Sequence, residues 1–152
     1  MTRRFLAVGL ALVLGAAIGC SDDLAPATVD VTGMWNLSYA DLTGTGGTFT
    51  ECHSTTPSLF TLTQSGNSLS GNYQAGALLC TRASGPPSTV TLSFALIEDA
   101  SVSGDHVSFS LPGVASLKLS GTATQSTMSG TCTGEIDGSP LSGNWSATRV
   151  VE

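Results

Sequence analysis

Two histidines, four cysteines and eleven carboxylates are all that the chain offers for metal, nucleophilic or acid–base chemistry. Their spacing gives such chemistry little to work with. His53 directly follows Cys52, so on a strand the two side chains leave opposite faces and cannot share a metal. His106 follows a hairpin signal and is expected in solvent. No Cys-x-x-Cys or His-x-x-x-His pair occurs, which argues against a structural zinc site. Nucleophilic catalysis needs a base oriented beside its nucleophile, and no single serine stands out among the many. The run Gly44-Thr45-Gly46-Gly47 lacks the Lys-Ser/Thr that completes a phosphate loop. Asp22-Asp23 and Glu98-Asp99 read as solvated loop charges. The expectation is a non-enzymatic protein without metal or cofactor.

The first twenty residues direct the chain elsewhere. Arg3 and Arg4 precede an apolar stretch from Phe5 to Ala17, which ends in Ala17-Ile18-Gly19-Cys20. That is signal-peptide anatomy, and the stretch is short for a membrane span, which needs roughly 20 residues. The small residues before Cys20 resemble the lipobox of bacterial lipoproteins, with Ala17 where that family favours Leu. The resemblance implies cleavage before Cys20 and acylation of its thiol and new amine. Several acyl chains on one residue anchor stably where a single chain does not. Ser21, rather than Asp, follows the cysteine, which under enteric-type sorting implies the outer membrane. The expected plan is a signal peptide over 1–19, a tether over 20–31 and one β-domain over 32–152. The protein is expected to be exported, with the membrane as its partner through the lipid.

All eleven acidic residues follow Cys20, against only Arg82, Lys118 and Arg149. No basic stripe exists to neutralise phosphates, so nucleic acid is excluded as a partner. With Cys20 given to lipid, three cysteines face an oxidising compartment. Cys52 and Cys80 border irregular segments on either side of the 58–75 hairpin, and a Cys52–Cys80 bridge would staple one end of the domain. Cys80–Cys132 is the alternative. Cys132 shares an inward face with Met128 and is expected as a buried free thiol.

The elements that would position these residues are strands. Ser, Thr and Gly alternate with Val, Leu, Phe and Trp at period two, and no stretch after Cys20 shows a helical period. The first strand places Gly33, Trp35, Leu37 and Tyr39 on one face. A hairpin turning at Ser65–Ser68 follows, then an expected loop through Pro86-Pro87. Residues 89–99 form the plainest alternation, with Val90, Leu92, Phe94 and Leu96 inward. Gly104-Asp105 suits a type II′ turn, and Asp137-Gly138 is the strongest two-residue hairpin signal. The fold class is therefore all-β, a small antiparallel meander barrel of about eight strands. Gly71, Gly121, Gly130 and Gly143 fall on the inward face within strands. There a glycine marks a bend or close packing, or else clears space for a ligand.

Gly33-x-Trp35 on the first strand, with Arg149 late on the last, resembles the pattern of the calycins, the lipocalin and avidin group of up-and-down barrels. The resemblance implies that Arg149 packs over Trp35 and closes one barrel end. "LSGNYQA" at 69–75 and "WSATRV" at 145–150 are similar to avidin stretches, which would make Tyr73 a ligand-facing phenol and Trp145 a pocket wall. Leu37 stands where avidins carry a polar residue, so architecture is carried over and a biotin site is not. Two functions fit such a barrel. It holds a small apolar or amphipathic ligand between Trp35, Tyr73, Phe94 and Trp145, or it has a solid core and serves as a structural, interaction or inhibitor-type envelope protein.

Overall fold

The structure, a computed structural model, describes residues 28–74, 76–113 and 115–151. The expected signal peptide, Cys20 and most of the tether lie outside the described residues. Within them the chain forms β1 (Gly33–Thr43), β2 (Phe49–Thr56), β3 (Ser58–Ser65), β4 (Ser68–Tyr73), β5 (Gly76–Arg82) and β6 (Ser88–Leu92). It continues through β7 (Ala95–Leu96), β8 (Glu98–Ser103), β9 (His106–Leu111), β10 (Ala115–Ala123), β11 (Thr127–Ile136) and β12 (Ser139–Arg149).

Eight of these strands form a closed antiparallel barrel in the order β1-β3-β4-β8-β9-β10-β11-β12, with β12 returning to β1. The class read from alternation is the class observed. Across the closing seam Trp35 faces Arg149, Leu37 faces Ala147, and Tyr39 faces Trp145. Period two holds around the wall. Trp35, Leu37 and Tyr39 on β1, Phe60 and Leu62 on β3, Val107, Phe109 and Leu111 on β9, and Leu117 and Leu119 on β10 are all buried. Each such Leu or Phe contributes about 1.5–3 kcal/mol relative to exposure. The partners between them are mostly Ser and Thr, which face outward.

Tight turns set the register. Gly104 has φ 61° while Asp105 stays out of the left-handed region, as a type II′ turn requires. Asp137 and Gly138 are both left-handed, at 50° and 70°, which is the type I′ signature. Asp41 is left-handed as well, at φ 47°, and the β1–β12 register slips between Ala40 and Thr43. That bulge reverses the parity, so Leu42 rather than Asp41 turns inward. Past the bulge β1 still meets β12, at Thr43 and Ser142, while on its other edge Leu42 pairs with Cys52 of β2.

From there a second small sheet, β2-β5-β6, grows off one end of the barrel. The sequence reading named no strand between the 58–75 hairpin and the loop at Pro86-Pro87, because Gly76–Arg82 shows no clean alternation of residue type. Its pairing with β2 and β6 supplies a structure that local pattern could not show. The 89–99 strand is also corrected. It breaks after Leu92, which leaves Phe94 62% and Leu96 64% exposed, while Ile97 turns inward. The chain rejoins the barrel at β7, where Ala95 and Leu96 pair with Tyr73 and Asn72 of β4, and within β8 the register shifts around Asp99, which is left-handed at φ 48°. Within the stretch expected as a tether, Val31 is fully buried and the Val29 N–H donates to the Gly104 carbonyl at 2.9 Å, so both residues pack on the folded body.

Candidate functional site

The interior of the barrel is the first place to look, because four of the residues singled out by sequence were expected there. Phe60 and Phe109 meet at 4.9 Å between ring centroids, and Phe109 meets Trp145 edge-on at 5.5 Å. Each is buried, and together they bridge the barrel from β3 through β9 to β12. The rings are one another's partners at ordinary aromatic packing distances. Phe60 and Phe109 read as inward residues from alternation, but nothing in the sequence marked them as the centre of the stack.

Trp145 lies against strands that glycine has stripped of side chains. Gly130 is its direct partner across β11–β12, and Gly121 pairs with Gly130 across β10–β11. A Cβ on Gly130 would run into the Ser120 carbonyl oxygen, and one on Gly121 into that of Ser129, both far inside van der Waals contact. These glycines therefore let adjacent backbones approach where the wall curls. The Trp145 indole N–H donates to two wall carbonyls, Thr131 at 3.0 Å and Ser120 at 3.2 Å.

Trp35 closes one end. Its indole N–H donates to the Val31 carbonyl at 3.0 Å, and the Arg149 guanidinium stacks over its ring at 4.4 Å. Arg149 also donates to the carbonyls of Thr32, Gln125 and Asp30, the last at 2.8 Å. Gly33 passes directly beneath that guanidinium, with φ 138°, and a Cβ there would meet the Arg149 head group at 2.7 Å. Gly33, Trp35 and Arg149 thus form a single plug. Asp30 sits at its rim, where the Thr32 N–H bonds its carboxylate at 2.9 Å and holds its pKa below the ordinary value.

At the other end Tyr73 is buried, and its hydroxyl donates to the Pro112 carbonyl at 3.2 Å. Burial raises its pKa. Tyr39 lies deeper, 3% exposed, and its hydroxyl has no hydrogen-bond partner. Burial holds the Tyr39 phenol well above its ordinary pKa, with the neighbouring Cys132 and Tyr73 adding to the effect. Cys132 is a free thiol, 1% exposed, and burial moves its pKa up from 9.0 to about 11. The four expected wall residues therefore divide: Trp35, Tyr73 and Trp145 line the interior at different levels, and Phe94 does not join them. It sits outside because the strand carrying it breaks after Leu92.

The disulfide joins Cys52 to Cys80, directly opposite partners on β2 and β5, as the favoured pairing had it. Arg82 lies over Phe49 at 5.6 Å beside it. His53 is half-buried on the other face of β2 from Cys52, and His106 is exposed next to Asp105 at 3.8 Å. Among the described residues no group of three or more His, Cys, Asp and Glu side chains could hold a metal. On the outer wall a shallow groove of about 310 Å³ runs across β9, β10 and β11, lined by Ser108, Ser110, Ser120, Thr131, Lys118 and Asp99. No protein-family model matches the chain, and no curated protein or solved structure matches it either.

Proposed function

We propose that this is an exported envelope lipoprotein, anchored through Cys20, whose calycin-like barrel has a solid core and acts on other proteins through its outer surface. The carrying observation is the Phe60–Phe109–Trp145 stack, in which side chains from opposite walls fill the middle of the barrel. The polar handles that a ligand would need are already engaged: Trp145 by Thr131 and Ser120, Trp35 by Val31, and Tyr73 by Pro112. The Arg149 plug seals the adjoining end. A non-enzymatic role fits the placement of both histidines away from the barrel interior.

One observation favours the second reading, an interior small molecule. The Tyr39 hydroxyl is buried without a partner, and a guest with an acceptor atom would satisfy it. Native mass spectrometry of the protein extracted from membranes separates the two. The solid-core reading expects the acylated chain mass and no further adduct. A stoichiometric small molecule, lost on unfolding, overturns it in favour of the ligand-holding barrel. The anchor is tested apart from this, since Cys20→Ser should move the protein from the membrane to the soluble fraction. If it stays in the membrane, the lipoprotein assignment fails.

A further inference from the structure

The chain enters the barrel across the end that Trp35 and Arg149 close. The Val29 N–H donates to the Gly104 carbonyl in the β8–β9 turn at 2.9 Å. The Val31 N–H donates to the side-chain oxygen of Gln64, near the end of β3, also at 2.9 Å. Arg149 holds the same segment through the carbonyls of Asp30 and Thr32. The entering segment is thus tied to three separate strands or turns of one rim before β1 begins. The turns β3–β4, β8–β9 and β10–β11 share that rim. At the opposite end lie the Asp137-Gly138 turn and the β1–β2 loop. The small β2-β5-β6 sheet reaches outward there, where the Ala83 N–H bonds the Thr48 carbonyl.

We propose that a short tether stands the barrel on the bilayer by its Arg149 end and turns the small sheet away from the membrane. The proposal rests on the reading of Cys20 as the acylated residue. The eight steps of chain from Cys20 to Thr28, at about 3.3–3.6 Å each, span at most about 29 Å. β12 runs 11 residues. At about 3.3 Å per residue and a tilt of about 35–45°, the wall stands about 25–30 Å tall. An inverted barrel would therefore need the whole tether drawn taut along the wall, at the cost of its conformational entropy. With the Arg149 end down, no stretch is needed. The protein surface does not itself seek lipid at this end. Asp30 and Asp105 are acidic, and Arg149 is committed to carbonyls, so the acyl chains do the holding. Exposed Phe94 would otherwise suit lipid contact, but Ala95 beside it pairs with Tyr73, whose hydroxyl bonds Pro112 in the β9–β10 connection of the far end. Its apolar surface is carried toward the side that other proteins can reach.

The test is energy transfer from labelled protein to acceptor-labelled lipid headgroups, with the acylated full chain in phosphatidylcholine vesicles. Labels go on single introduced cysteines at exposed positions, Asn67→Cys and Ser126→Cys on the Arg149 end, Thr45→Cys and Ser84→Cys on the other. Cys132 is buried and Cys52 is bonded to Cys80, so the introduced thiol reacts alone. The first pair should read nearer to the headgroups than the second by roughly 20 Å. A Gly/Ser insert of about 30 residues between Asp23 and Leu24 should erase that difference. Unchanged thermal midpoints show that the variants fold. Equal transfer from the two ends overturns the proposal, as does stronger transfer from Thr45→Cys and Ser84→Cys. A difference that survives the long insert overturns the tether as its cause. Protein that does not float with the vesicles ends the lipoprotein reading and this proposal with it, a failure distinct from floating protein whose ends read alike.

Discussion

The Tyr39 hydroxyl offers the sharpest test of whether the barrel is solid. It is buried with no partner, so it gives up its hydration and receives nothing in return. Such a group costs about 1–3 kcal/mol. Tyr39→Phe keeps the ring and removes the oxygen. The gap left behind is roughly 10 Å³, and at about 24 cal/mol per Å³ it returns only about 0.2 kcal/mol of the gain. The backbone bond from the Tyr39 N–H to the Ser54 hydroxyl, 2.8 Å, is untouched. The variant should therefore be more stable by about 1–2 kcal/mol, which for a domain of this size raises the thermal midpoint by roughly 3–8 °C. Urea titration should show a higher midpoint at an unchanged slope. A second signature lies at alkaline pH. The folded phenol resists ionisation while the unfolded one ionises near pH 10, so the unfolded state binds fewer protons and stability falls as pH rises past that point. Tyr39→Phe should lessen that alkaline loss. A variant less stable than wild type by more than about 0.5 kcal/mol refutes the reasoning. The hydroxyl would then have a partner, and an interior guest becomes the better account.

Three further outcomes follow from the same geometry. Cys132 is protonated in the fold up to about pH 11 and in the unfolded chain only to about 9, so stability should be intact below pH 9 and decline as pH climbs through about 11. Chemical denaturation of Cys132→Ala across that range should show a shallower decline, and an unchanged one would contradict the assignment. Replacing Cys52 and Cys80 by Ser opens a loop of sequence separation 28, for which the chain-entropy relation gives a loss of about 3.5 kcal/mol. Equilibrium urea unfolding measures it, and a loss under about 1 kcal/mol would mean that the small sheet does not fold with the barrel. Gly130→Ala forces a methyl against the Ser120 carbonyl and displaces Trp145, and should cost at least about 1–3 kcal/mol with a red shift of tryptophan emission. A neutral Gly130→Ala would show that the glycine clears unused space.

Much of the barrel was legible because its wall obeys a local rule. Leu117-Lys118-Leu119 or Phe109-Ser110-Leu111 names its own inner face, and Asp137-Gly138 names its own turn. Phe94 shows where that rule stops. Its alternation with Val90, Leu92 and Leu96 is perfect, yet the chain leaves β6 after Leu92 and re-enters the wall at Ala95 on β7, with the parity set so that Ile97 turns inward. Parity within a segment carries no information on whether the segment continues. Gly76–Arg82 failed in the opposite sense: burial alternates through Gly76, Leu78 and Cys80, but Ala77 and Leu79 between them are apolar as well, so the residue types conceal the period.

The sequence by itself determined the strand class, the tight turns, the inward placement of Trp35, Tyr73 and Trp145, and the pool from which a disulfide could form. Each depends on neighbours two to four residues away. The tertiary structure decided between the Cys52–Cys80 and Cys80–Cys132 pairings in favour of the first, and it alone showed that Phe60, Phe109 and Trp145 meet at the centre. It also decided that, among the described residues, β6 pairs with β5 alone and Phe94 lies in the break that follows it. Those facts depend on how far the wall curls before it closes. That curl is set jointly by bulges such as Asp41 and by paired glycines such as Gly121 and Gly130, whose partners lie on other strands. No window of sequence contains both sides of such a contact.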